Sequence, residues 1–259
     1  MSDLEPRKQT DRRLRFISDL VLPPSAPSML GLLATPEDEV KLPSAEKKDS
    51  AAVLEDSLVS FTCGLSDQNR DDVMQSLLLM QLGANFKYSK MEEREEWYKF
   101  YHAGLSNLGW LTTDSAYQSY APTNQSFTMD EVALEIIAAV GGPSFARVAL
   151  AAARALEKSD GALRLFENSN QSEEVSSFKM LPCMQTERGD VSMMLNFMKF
   201  TKTVKTRRVL FWKFSRSDVR IFRGADRIQL NAGTYAGLRS EIQGKLGKKG
   251  KEFIAGLEI

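Results

Sequence analysis

The chain has 259 residues, an apolar fraction of 42% and a formal net charge of +0, so it can bury a sizeable core and carries no global field that would select a polyanionic partner. No run of about 20 apolar residues occurs, which excludes a helical membrane span. The polar, charged start through Arg15 lacks the apolar h-region of a secretory signal. Synthesis in the cytoplasm is therefore expected, with any release by a signal-independent route. Charge is unevenly placed: acidic residues crowd the first half, whereas residues 199–227 are strongly basic.

Residues 1–50 hold Pro23, Pro24, Pro27, Pro36 and Pro43 among Ser and charged residues and read as an extended or disordered arm. Inside it, Leu14, Phe16, Ile17, Leu20, Val21 and Leu22 form an apolar island suited to docking on a partner or on the protein's own body. Residues 51–259 read as one domain. A first helix is expected over 51–65 with Val53, Leu54, Leu58, Val59 and Phe61 inward. Ser66 or Asp67 can cap a second helix carrying Val73, Met74, Leu77, Leu78 and Leu82, ended by Gly83 and Asn85. The acidic MEEREE opens a third, whose Trp97, Tyr101, Leu105 and Leu108 form one stripe up to Gly109.

Residues 110–120 alternate loosely and are expected to be extended. Asp130 can cap a helix bearing Val132, Ile136, Ile137 and Val140, and the Gly141, Gly142, Pro143 turn returns the chain through a helix with Phe145, Val148, Ala152 and Leu156. Leu163, Leu165 and Phe166 suggest a short strand, and Phe178, Met180 and Leu181 another, leading to Cys183. A final helix holds Tyr235, Leu238, Ile242 and Leu246.

Residues 191–221 organise the rest. Val191, Met193, Leu195 and Phe197 are apolar on one parity and Met194, Met198 and Phe200 on the other, the pattern of a strand covered on both sides. Val209, Leu210, Phe211, Trp212 and Phe214 repeat the pattern and predict the second arm of a long hairpin, with Leu195, Phe197, Phe211 and Trp212 all buried. Helices first, then strands, then a helix indicate an α+β fold: an antiparallel β-sheet covered by helical hairpins on both faces, in three layers.

Catalytic motifs are missing. No G-x-S-x-G, P-loop, G-x-G-x-x-G or H-E-x-x-H occurs, and the single histidine, His102, reads as structural. No metal ligand set and no cofactor are expected, nor an enzymatic activity. The two cysteines, Cys63 and Cys183, read as buried thiols of a reducing compartment, although cysteines far apart in sequence can meet in space. The basic segment has two readings. Lys202, Lys205, Arg207 and Arg208 with nearby aromatics can meet an anionic membrane or nucleic-acid phosphates; or the aromatics point inward and the charges rim a turn. No specific nucleic acid is predicted.

The helical hairpin 132–156, FKMLPC (178–183), the strand 191–200, VLFWKFSRSDVRI (209–221) and the closing helix 235–242 resemble the Cyt-type cytolysin fold, which includes insecticidal crystal toxins, a mushroom cytolysin and an Erwinia virulence factor. The resemblance implies a non-enzymatic, membrane-active or virulence-type protein, pore-forming in the manner of cytolysins, with an anionic lipid membrane as partner; on the basic-segment reading, Lys202, Lys205, Arg207 and Arg208 would make that contact. It also implies Cys183 as an acylation site, because the Erwinia protein carries an acyl group on cysteine. The alternative is a soluble interaction module or homo-oligomer subunit docking through its N-terminal arm.

Overall fold

The computed structural model describes residues 4–23, 48–89, 92–113, 117–169, 174–206, 208–247 and 254–259. In chain order these form α1 (Leu4–Asp19), β1 (Ser50–Leu54), β2 (Ser57–Phe61), α2 (Asp67–Lys87), α3 (Arg94–Asn107), β3 (Trp110–Leu111), β4 (Gln118–Tyr120), β5 (Ser126–Phe127), α4 (Met129–Gly141), α5 (Pro143–Lys158), α6 (Asp160–Asn168), β6 (Val175–Gln185), β7 (Val191–Lys202), β8 (Phe214–Ser215), β9 (Val219–Leu230), α7 (Ala232–Ala236), α8 (Arg239–Leu246) and β10 (Ile254–Glu258).

The α+β class and the three layers are as expected. Strand β7 lies inside an eight-stranded sheet ordered β10-β1-β2-β6-β7-β9-β3, with β4 also on β9. Its two parities face two separate cores. Val191, Met193, Leu195 and Phe197 pack with α1, α2, α3, α7 and α8; Met194, Met198 and Phe200 pack with α4, α5 and α6. A strand with apolar residues on both faces is stable only between two covering layers, because either face left in water forfeits about 25 cal/mol per Å² of apolar area.

Several expectations are corrected. Residues 51–61 are a β-hairpin, not a helix: β1 and β2 pair antiparallel around a two-residue turn at Glu55 and Asp56, where Glu55 takes a φ of 50°. Apolar spacing over this stretch fits a helix as well as two short buried strands. The choice is made by neighbours far away in sequence, β10 on one side and β6 on the other. The β2–β6 pair is parallel, so the sheet is mixed, not purely antiparallel.

The partner of β7 is β9, in register from Val191↔Leu230 to Lys202↔Val219, and not residues 209–214. A strand has two edges, and β6 and β9 occupy both edges of β7. The segment 209–214 turns instead toward α4: the Leu210 carbonyl accepts from the Met129 and Asp130 N–H groups at 3.0 and 3.3 Å, and Phe214 pairs with Phe127. Leu195 and Phe197 are fully buried as expected, but Phe211 is only partly covered and Trp212 is 37% exposed.

Residues 163–166 belong to α6, which seats Phe166 on Phe178 with ring centroids 6.1 Å apart. The N-terminal stretch is not extended where it is described. It forms α1, and Ile17 within it and Leu20 just after it are buried against the body, so the apolar island docks on its own chain. Arg13 Nη1 donates to the Ser106 and Asn107 carbonyls at the end of α3, and Lys245 Nζ to the Ser18 carbonyl at 2.6 Å. The rest of the leader, 24–47, lies outside the described residues.

Helix caps follow the local code with one change. Ser66 Oγ accepts from Asn69 N, as expected. At α4 the N-cap is Thr128, not Asp130, and its N–H donates to the Glu131 carboxylate at 2.9 Å. Gly83 does not end α2, which runs on to Lys87; a Cβ there would meet Leu20 at 2.8 Å, so this glycine lets α1 lie close on α2.

Candidate functional site

The basic segment is a loop between β7 and β9, held at both ends. Thr203 N donates to the Asp218 carbonyl at 2.9 Å, and Arg216 reaches back to the Thr123 carbonyl at 2.7 Å and to that of Pro122. Val209 and Leu210 are buried beneath it. What it shows to solvent is Lys205, Arg208, Lys213 and Arg216, with Trp212 beside them.

Lys202 departs from the expected surface role. It is 6% exposed, its ammonium donates to the Thr206 carbonyl at 2.6 Å, and it lies 6.0 Å from the Phe200 ring centroid. Arg207 lies outside the described residues. Beneath the loop, burial holds the Glu167 carboxyl above its ordinary range, while the Arg208 guanidinium pulls the other way.

Cys183 sits at the centre of the sheet with no exposed surface, facing the core that contains Leu181, Met193 and Leu195, its Sγ–H directed at the Leu181 carbonyl at 3.5 Å. Burial pushes its thiol well above the ordinary cysteine range, which disfavours the thiolate that acyl transfer needs. Cys63 is exposed rather than buried, and both thiols are free although Thr62 N bonds the Cys183 carbonyl at 3.1 Å. Titration of the native protein with a thiol reagent should therefore find one fast thiol, removed by Cys63→Ser. Cys183 should react only as fast as the protein opens; equal rates for both would show that the sheet centre is accessible.

His102 is not near either cysteine. Its Nε2 is 3.3 Å from Asp226 Oδ2, and Asp226 also accepts from Thr113 N at 3.0 Å and Thr113 Oγ1 at 2.6 Å. The arrangement ties α3 and the loop after β3 to β9.

A buried polar cluster went unseen in the sequence. Lys179 Nζ and Asp56 Oδ1 are 2.7 Å apart with no exposure on either side chain. Gln81 Nε2 bridges Asp56 at 3.0 Å and Glu55 at 2.7 Å, Asn85 donates to Glu55 at 3.3 Å, and Trp97 Nε1 donates to Asn85 at 2.9 Å. The ammonium of Lys179 stands 4.8 Å from the Trp97 ring centroid and 5.5 Å from that of Tyr101. Arg94 lies over Trp97 and Phe197; burial lowers its pKa to about 10, with Asp56 opposing the shift.

The cluster joins the β1–β2 turn, β6, α2 and α3, so its chemistry is fastening the helical layer to the sheet. The one clue in the sequence is that Lys179 falls between Phe178 and Met180 on a strand otherwise buried at both parities.

Fold and site together define a three-layer α+β protein with a basic loop at one end of its sheet. No family model matches the chain, and no curated protein matches it by sequence. Among solved structures it is similar to a delta-endotoxin, at 14% identity and a TM-score of 0.43, over 76% of this chain and 87% of that one. It is also similar to the activated Cyt2Ba monomer of Bacillus thuringiensis subsp. israelensis, at 16% identity and 0.43, over 68% and 97%. The Evf virulence factor matches at 10% identity and 0.36, over 96% and 91%.

Proposed function

We propose that this protein is a non-enzymatic, membrane-active protein of the toxin or virulence type that meets an anionic lipid surface through the loop between β7 and β9. The observation that carries the reading is the solvent-facing set Lys205, Arg208 and Lys213 with Trp212 37% exposed between them. Each Lys or Arg near an anionic leaflet contributes about 1 kcal/mol, and an indole prefers the headgroup region, where its apolar body and its N–H are both accommodated. Arg207 falls in the same loop by sequence.

Pore formation would follow as a second step through strands. Among the described residues no helix is long and apolar enough to cross a membrane. Strands β6, β7 and β9 have 11, 12 and 12 residues, against the roughly 9–11 a tilted membrane strand needs. Because β7 is buried on both faces, entry requires a helical layer to leave the sheet first. Assembly through the N-terminal arm is the weaker reading, since α1 spends its apolar face on its own body.

Co-sedimentation with phosphatidylserine-rich vesicles tests the first step. Binding should fall steeply with added salt and be lost in the K205E/R208E/K213E variant; equal binding by that variant, or no binding at low salt at any pH, overturns the reading. Dye release from the same vesicles separates docking alone from pore formation.

A further inference from the structure

A second cationic feature lies away from the loop. Between the α4–α5 turn and the β6–β7 turn is a cavity of about 570 Å³, lined among others by Ser144, Phe145, Thr186, Glu187, Arg188 and Arg227. The Arg227 guanidinium lies 5.5 Å from the Phe145 ring centroid, and its Nε donates to Ser192 Oγ at 3.2 Å. Stacking and that hydrogen bond hold the fork in one orientation, while no carboxylate among the described residues pairs with it. Arg188, exposed on the β6–β7 turn, is likewise without an ion pair there.

Two further observations point to an anion. Thr186 Oγ1 is shielded from solvent with no hydrogen-bond partner among the described residues. Helix α5 begins at the wall of the cavity with no side chain capping it, and its first residue, Pro143, has no N–H; the N–H groups of Ser144 and Phe145 are left for another acceptor. Glu187 is the opposing charge in the lining, set against two guanidinium groups.

We propose that this cavity binds a phosphate group, carried by a small phosphomonoester or by a phospholipid headgroup, with Arg227 and Arg188 as its cationic ligands. The planar fork of Arg227 suits two phosphate oxygens, and the remaining oxygen is left to the start of α5 or to Thr186. None of these residues belongs to the basic loop, so failure here leaves the docking reading standing, and the reverse.

The probes are inorganic phosphate and glycerol 3-phosphate, titrated calorimetrically against the intact protein with chloride matching the ionic strength. Saturable binding is expected, weakened at least tenfold by Arg227→Ala and less by Arg227→Lys, which keeps the charge and loses the fork. Ser144→Glu supplies a variant that should fold at least as well as the parent, because a carboxylate favours a helix N-terminus, and yet lose phosphate. Vesicles of phosphatidic acid in phosphatidylcholine separate the sources: loss of vesicle binding in Arg227→Ala assigns a lipid headgroup, and loss of soluble binding alone assigns a free phosphomonoester. No response beyond chloride, or equal binding by the parent, Arg227→Ala and Ser144→Glu, overturns the site.

Discussion

Lys179→Met should cost about 3–5 kcal/mol of folding stability, because it removes the ammonium that directly pairs with the buried Asp56 carboxylate and leaves Gln81 and the charge of Arg94 to hold it. The pair is 2.7 Å apart with no exposure on either member, so water cannot take over the role of the missing partner. The double variant K179M/D56L should recover most of that loss, since it removes both charges and leaves apolar groups among Trp97 and Tyr101. Urea denaturation followed by tryptophan fluorescence reads both. A double variant as unstable as the single one would mean that Asp56 is held mainly by Gln81 and the turn, and that the ion pair is incidental.

The same variants probe the membrane reading from another side. If the cluster fastens α2 and α3 to the sheet, Lys179→Met should raise dye release from anionic vesicles at fixed binding, whereas K205E/R208E/K213E should lower binding itself. Unchanged release in a destabilised Lys179→Met protein would separate the fastening from any membrane step.

Phe197→Ala should be comparably severe, about 3–5 kcal/mol, as the deletion of a fully buried aromatic ring. Phe197 is where three rings converge: Tyr98 at 5.0 Å, Trp97 at 5.8 Å and Tyr117 at 6.0 Å between centroids, with Arg94 above. Relaxation into the hole is limited. Opposite Phe197 in the sheet is Gly224, and the space over that glycine is already filled by the Tyr98 ring, which a Cβ would strike. Leu111→Ala, at 58% exposure on the short edge strand, should shift the midpoint little and serves as the control. A loss under 1 kcal/mol for Phe197→Ala would show that the ring is not at the centre of the packing.

How much was legible from the chain depended on whether the governing interaction was local. The two parities of 191–200, the α2 and α3 stripes, the Ser66 cap and the α4–α5 hairpin were readable because side-chain period and cap chemistry are set by residues a few positions apart. For the site, the exposed part of the basic loop was readable as charge density. Lys202 was not, because its burial follows from its place at the end of β7 and from the Thr206 carbonyl that turns back onto it.

Partners distant in the chain carried the remainder. Residues 51–61 became strands because β6 and β10, more than a hundred positions later, offered edges; residues 209–214 did not become the partner of β7 because β6 and β9 had filled both of its edges. Lys179 and Asp56 meet for the same reason, brought together by the parallel β2–β6 pairing. Periodicity specifies which faces of an element must be covered, and so the three layers were present in the order of residues. Which edge is free, and which buried charge finds its counter-charge, are properties of the assembled sheet, since each depends on strand neighbours that exist only once the chain has folded.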